Sequence, residues 1–253
     1  MRKLFTVVLI LNVVAGACCF AYFPERPPTP PSASADFMES HQSAHKTDLG
    51  VILRTSMKLM KNKQFLLLCC AYGLSTGVYS GWSGVLDLNL SKLDIKESNA
   101  GWMGFVATLA GCVGGVGLGR LADGDVAARL KGFLIGSMLL GFASFLYFVL
   151  ASETSLLPRS LVALFISAGL GGFAINGAIP FYYEAALDVT YPLGEGVCTV
   201  IIVLTCANNL ACLIFLCIPT RHYVSAVGVA WMNWAMAGVL GMFAAVLLLF
   251  DSK

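Results

Sequence analysis

Gly119-Arg-Leu-Ala-Asp-Gly-Asp-Val-Ala-Ala-Arg-Leu-Lys131 is a short charged interruption between two stretches too apolar for a water-soluble protein. Asp123 and the cations Arg120, Arg129 and Lys131 crowd into it. Charges at this density are expensive inside hydrocarbon and cheap at a membrane face. The stretch therefore reads as a tight turn joining two membrane helices.

Composition agrees. Of 253 residues, 58% are hydrophobic and 12% charged, against about 25% charged in soluble domains. Mean hydropathy is +0.80. A soluble domain this long still exposes roughly a quarter of its unfolded surface, too much for this chain to keep away from water. A net charge of +2 leaves no basic footprint for nucleic acid.

Seven apolar segments approach the ~20 residues that span a bilayer: 4–22, 65–88, 100–118, 133–150, 161–183, 197–218 and 226–250. Helices satisfy their own backbone in lipid, so the predicted fold class is an all-α membrane protein. Arg2, Lys3 and the small residues Ala15-Gly16-Ala17 imitate a secretory leader. The apolar run continues to Tyr22 and leads into a proline-rich stretch, so we read a retained helix. The predicted organisation is a transmembrane helix over 1–22, a cytoplasmic linker over 23–63 and a transmembrane bundle over 64–253. The linker begins with five prolines, and its second part, 48–63, patterns as an amphipathic surface helix. Lys and Arg number six in the linker and three in the charged turn, with fewer in the loops between. This places both on the cytoplasmic side. Asn89-Leu-Ser91 is a glycosylation sequon on the opposite side, close to a helix end.

Of nine cysteines, seven lie in apolar runs, where Cys acts as a small hydrophobe. His41 and His45 share a helical face without a third ligand nearby, so no metal or other cofactor is expected. There is no nucleophile elbow and no zinc-protease helix, so an enzyme is not expected. Receptor signatures are missing too.

Polar and glycine-rich spots inside the spans carry the functional reading. Gly111, Gly115 and Gly119, with Gly104, Gly114 and Gly117, offer a flat helix face for close packing or sliding. Gly169, Gly171, Gly172, Asn176, Gly177 and Pro180 mark a kinked span with an amide at mid-membrane. Tyr72, Tyr79 and Trp82 stand beside Gly73, Gly77, Gly81 and Gly84. They serve either as packed core or as a cavity for a flat ring or quaternary ammonium. Adjacent Asn208 and Asn209 need partners in lipid, one facing a cavity and the other a helix. Asp87, Glu184 and Asp188 lie near span ends. For Glu184, gating or capping is the expected role rather than a proton relay.

Gly119-Arg-Leu-Ala-Asp123 followed by spaced cations resembles the loop signature of the major facilitator superfamily. Phe23-Pro-Glu-Arg-Pro-Pro-Thr-Pro-Pro31, Gly81-Trp-Ser-Gly-Val-Leu-Asp-Leu88, Ala100-Gly-Trp-Met-Gly104, Pro180-Phe-Tyr-Tyr-Glu184 and Val189-Thr-Tyr-Pro-Leu-Gly-Glu-Gly196 are similar to solute carrier family 49. That resemblance implies a twelve-helix transporter, of which this chain covers helix six through helix twelve and lacks the N-terminal half. It implies alternating access for a small organic solute, choline-like or pyridoxine-like, with protons as possible coupling ions. It also implies a lysosomal membrane, with the plasma membrane as the other setting. Family helix-seven tyrosine falls on Tyr79, with Tyr72 as the alternative, and a cavity amide falls near Asn208. Gly119, Arg120, Asp123, Arg129, Glu184 and Glu195 make the expected cytoplasmic gate. The rival expectation is a non-transporting fragment that associates with a full-length transporter.

Overall fold

The computed structural model describes residues 2–21, 49–91, 93–122, 130–154, 156–157, 160–190, 196–222 and 230–249. The proline-rich stretch, His41, His45, Asp123, Arg129 and Glu195 lie outside the described residues. Regular structure among the described residues is entirely helical: α1 Arg2–Ala21, α2 Leu49–Leu59, α3 Lys63–Gly84, α4 Leu86–Ser91, α5 Glu97–Ala122, α6 Leu130–Glu153, α7 Leu161–Gly177, α8 Ile179–Thr190, α9 Gly196–His222 and α10 Ala230–Leu249.

Among the described residues, six spans are long and apolar enough to cross a membrane, α7 and α8 together forming one of them. Seven were expected. The N-terminal segment is helical as α1, 20 residues from Arg2 to Ala21. It belongs to a separate unit, Met1–Asp48, while Leu49–Lys253 forms the other. The ends of the six match the sequence reading to within a few residues, apart from α8, which runs on to Thr190.

α3 is the centre of the second unit. Two thirds of its span, 67%, is buried, against 22% for α5 and α9. Its start is fixed by Asn62, whose side chain accepts from the Gln64 and Phe65 backbone N–H groups, a standard N-cap. The Asn62 amide also donates to the Val189 carbonyl at 3.3 Å, tying the start of α3 to the end of α8.

Gly73, Gly77 and Gly81 line the α3 face that meets α9. A Cβ at Gly73 would stand 2.7 Å from Ala207 Cβ, and one at Gly81 2.6 Å from the Phe215 ring. A Cβ at Gly77 would strike the Asn208 carbonyl and Ala211. Close backbone approach of this kind replaces the hydrophobic effect as the glue between helices in lipid. The stripe expected on α5 packs over less of its length. Gly111 meets Asn176 and Gly114 meets Phe173, while Gly104, Gly117 and Gly119 have nothing within 4 Å of a built Cβ.

The outward faces of α5 and α9 are apolar. Trp102, Phe105, Leu109, Val113 and Val116 recur at helical spacing along α5 and are exposed, as are Ile202, Leu210 and Leu213 on α9. An apolar stripe pointing away from the core is the inverse of a soluble helix and suits lipid or another membrane helix.

The fifth expected span is broken. α7 ends at Gly177, the Ala178 N–H bonds back to the Asn176 carbonyl, and α8 starts at Ile179. Pro180 was expected inside a kinked helix. It stands just past that interruption as the second residue of α8, within the single membrane-capable stretch Leu161–Thr190.

Within 48–63, where an amphipathic surface helix was expected, the structure has α2, Leu49–Leu59. Thr55 and Leu59 are buried, while Leu53, Met57 and Met60 are exposed apolar groups and Arg54, Lys58 and Lys61 are exposed cations. The sequon asparagine, Asn89, is 3% exposed. Its amide is buried without a hydrogen-bond partner among the described residues.

Candidate solute site

Tyr72 and Tyr79 are seven residues apart, two helical turns, so they share one face of α3. That face looks at the broken pair α7 and α8. Tyr79 is 6% exposed. Its hydroxyl stands 2.9 Å from where a Gly172 Cβ would be, so only a glycine admits it. Asn176 lies one turn further along α7 on the same face as Gly172. It packs against Gly111 of α5. A phenol and, one turn further along, an amide therefore stand where α3, α5 and α7 cross, the amide two residues before the helix break. This junction can hydrogen-bond a hydroxyl or amine, and the ring face can attract a quaternary ammonium.

Trp82 stands behind this junction, with 1% of its surface exposed. Its ring stacks with Tyr79 at 6.3 Å and 26°, and meets Phe145 and Phe148 edge-on at 5.0 and 5.2 Å. Of the two sequence readings for Trp82, its surroundings are those of packed core.

Tyr72 lies further along the same face. Its hydroxyl is 3.2 Å from that of Tyr183, and its ring contacts Tyr182 and Tyr183 at 5.6 Å each. The buried Tyr182 hydroxyl has no hydrogen-bond partner among the described residues.

Asn208 and Asn209 are not brought to Tyr79. Gly77 faces Asn208 across the α3–α9 contact, and Gly77 lies about 200° around the helix from Tyr79. α3 stands between the two groups. The paired amides satisfy each other instead, with Asn208 Nδ2 donating to Asn209 Oδ1 at 3.3 Å.

At the end of the bundle bearing the start of α3, a cavity of about 400 Å3 opens between α5 and α8. It is lined by Gly115, Val116, Gly119, Arg120, Pro180, Phe181 and Glu184. Three expected gate residues, Gly119, Arg120 and Glu184, thus share one opening. Asp123, Arg129 and Glu195 are outside the described residues. Glu184 sits in mid-α8 and is exposed, so it caps no helix. Asp87 and Asp188 are also exposed.

Sequence reasoning missed two polar residues. The Trp82 indole donates to Asn233 Oδ1 at 2.7 Å, and Asn233 Nδ2 donates to Glu153 Oε1 at 2.7 Å. An amide alone in the last apolar span was a signal in itself, since such groups are costly in lipid unless paired.

No family model matches the chain. Its sequence is 34% identical over 232 residues to the solute carrier family 49 member 4 homolog of Xenopus tropicalis, covering 89% of this chain and 46% of that protein. It is 31% identical over 198 residues to the uncharacterized MFS-type transporter C09D4.1 of Caenorhabditis elegans, covering 78% of this chain and 32% of that protein. To the human choline/ethanolamine transporter FLVCR2 it is 31% identical over 193 residues, covering 76% and 34% respectively. The chain belongs to solute carrier family 49 of the major facilitator superfamily. It spans about half the length of the first of these relatives. Six membrane-capable helices among the described residues, together with these transporter relatives, make this family 49 chain an integral, multi-pass membrane protein.

Proposed function

We propose that this family 49 chain is the C-terminal six-helix half of a transporter, preceded by α1 as the counterpart of helix six. In this reading it moves a small organic solute, choline-like or pyridoxine-like, by alternating access together with an N-terminal half. The observation that carries the reading is the Tyr79–Asn176 junction at the broken α7–α8 span, since interrupted helices beside polar groups mark solute paths in carriers. The exposed apolar faces of α5 and α9 support a second bundle as neighbour. Arg120 and Glu184 at the α5–α8 opening, joined by Gly119, Asp123, Arg129 and Glu195, would form the cytoplasmic gate. Protons are the candidate coupling ion, and a lysosomal membrane the candidate setting, with the plasma membrane as the other. Trp82 supports Tyr79 from behind, and Tyr72 extends the solute-facing set along α3; Asn208 and Asn209, on the other side of α3, are left out of that set.

The alternative reading is a chain that transports nothing itself and associates with a full-length carrier.

Tyr79 tests the first reading. In vesicles containing this chain and the N-terminal half of the Xenopus tropicalis relative, Tyr79→Ala is expected to lower choline uptake at least tenfold. Tyr79→Phe, which keeps the ring, is expected to hold choline uptake within about threefold, since a desolvated cation–π contact of up to ~2 kcal/mol would survive. Unchanged uptake in Tyr79→Ala would remove Tyr79 from the solute path.

A further inference from the structure

We propose that Asn233 is a positioning residue for solute binding: bonded to both Trp82 and Glu153, it fixes the wall against which Tyr79 is held. The inference rests on the reading of Tyr79 as solute-facing. Asn233 and Trp82 are each 1% exposed, so neither exchanges its bonds with water.

The amide has one orientation only. Its oxygen accepts from the Trp82 indole and its nitrogen donates to the Glu153 carboxylate, both at 2.7 Å. Flipping it would set donor against the indole donor and acceptor against the carboxylate acceptor, losing both bonds at once. The bond to a carboxylate is charge-assisted and is the stronger kind. Asn233 lies in the first turn of α10 and Glu153 is the last residue of α6. A carboxylate is disfavoured at the C-terminal end of its own helix and favoured near the N-terminus of another, so the pairing suits Glu153.

The lock passes inward through Trp82. Its N–H is held at one edge, while Phe145 and Phe148 stand at 88° and 83° to its plane. A ring held in this way has little freedom to tilt, and Tyr79 stacks on it at 26°. The Tyr79 hydroxyl then stands against Gly172, one turn before Asn176 and the helix break. Three helices, α3, α6 and α10, thereby set the placement of one phenol. Apolar side chains of matching size would pack this region at least as stably as a buried polar chain. The network supplies orientation rather than stability alone.

The test is equilibrium binding of choline to the full chain in nanodiscs, assembled with the N-terminal half of the Xenopus tropicalis relative, alongside thermal unfolding of each variant. Asn233→Leu is expected to weaken choline binding about tenfold. In a Tyr79→Ala background the same substitution is expected to add less than twofold, because both act through one ring. Glu153→Leu removes the outer acceptor at a half-buried helix end and is expected to weaken binding about threefold; it serves should Asn233→Leu not fold. If Asn233→Leu and Glu153→Leu unfold earlier yet bind choline as tightly as the unaltered chain, the residues only pack and the inference is overturned. It is overturned equally if the Tyr79 and Asn233 effects multiply. Failure of the underlying reading looks different: the unaltered assembly binds no choline, or Tyr79→Ala binds it normally.

Discussion

Replacing Gly77 with leucine is expected to separate α3 from α9 and prevent assembly of the bundle. A Cβ alone at this position would lie 2.6 Å from Ala211 Cβ and 3.1 Å from the Cys212 backbone nitrogen, and would also strike the Asn208 carbonyl. Backbone atoms of a packed helix cannot move aside as a flexible side chain can. Overpacking a tight core usually costs about 1–3 kcal/mol, and a whole leucine against backbone belongs at or above the top of that range. Gly77→Ala should already cost at least ~1 kcal/mol. Gly104 and Gly117 supply the contrast, since a Cβ there meets nothing within 4 Å. Alanine at either should be neutral or stabilising by up to ~1 kcal/mol through helix propensity. Thermal unfolding in detergent ranks the four variants. Equal midpoints for Gly77→Ala and Gly117→Ala would contradict the α3–α9 contact.

Trp82→Ala is expected to have the second large effect. Truncating a fully buried aromatic side chain costs about 3–5 kcal/mol. It also strips Asn233 Oδ1 of its donor, adding roughly 1–3 kcal/mol for a buried group left unsatisfied. Lipid does not soften this loss, because the missing contacts with Tyr79, Phe145 and Phe148 are dispersion contacts inside the protein. For a unit of this length the thermal midpoint should fall on the order of 10 °C. Trp82→Phe refills most of the cavity but has no N–H, so it should show mainly the smaller polar cost. A midpoint for Trp82→Ala within about 2 °C of the unaltered chain would mean that the ring does not hold α3, α6 and α10 together.

These variants mark where the sequence was legible. Membrane-length apolar runs and the charged turn at 119–131 revealed the helices because lipid permits few alternatives to a helix. Gly177 and Pro180 announced the break in the fifth span through chemistry local to the chain. Partner choice was not local. The glycines of α5 and of α3 look alike in sequence, yet Gly73, Gly77 and Gly81 all meet α9, whereas Gly104, Gly117 and Gly119 on α5 meet nothing within 4 Å. Asn233 gave little sign of its role, since its partners Trp82 and Glu153 are 151 and 80 residues away. Asn208 and Asn209 were visible as costly amides, but only the fold shows them bonded to each other on the far side of α3 from Tyr79.

Reconstituted choline uptake tests most directly whether this chain is one half of a family 49 transporter. Vesicles are prepared with this chain, with the N-terminal half of the Xenopus tropicalis relative, and with both. The account predicts saturable uptake only where both halves are present, abolished by Tyr79→Ala. Uptake by the relative's half that is the same with and without this chain, together with none when pyridoxine replaces choline, would contradict it.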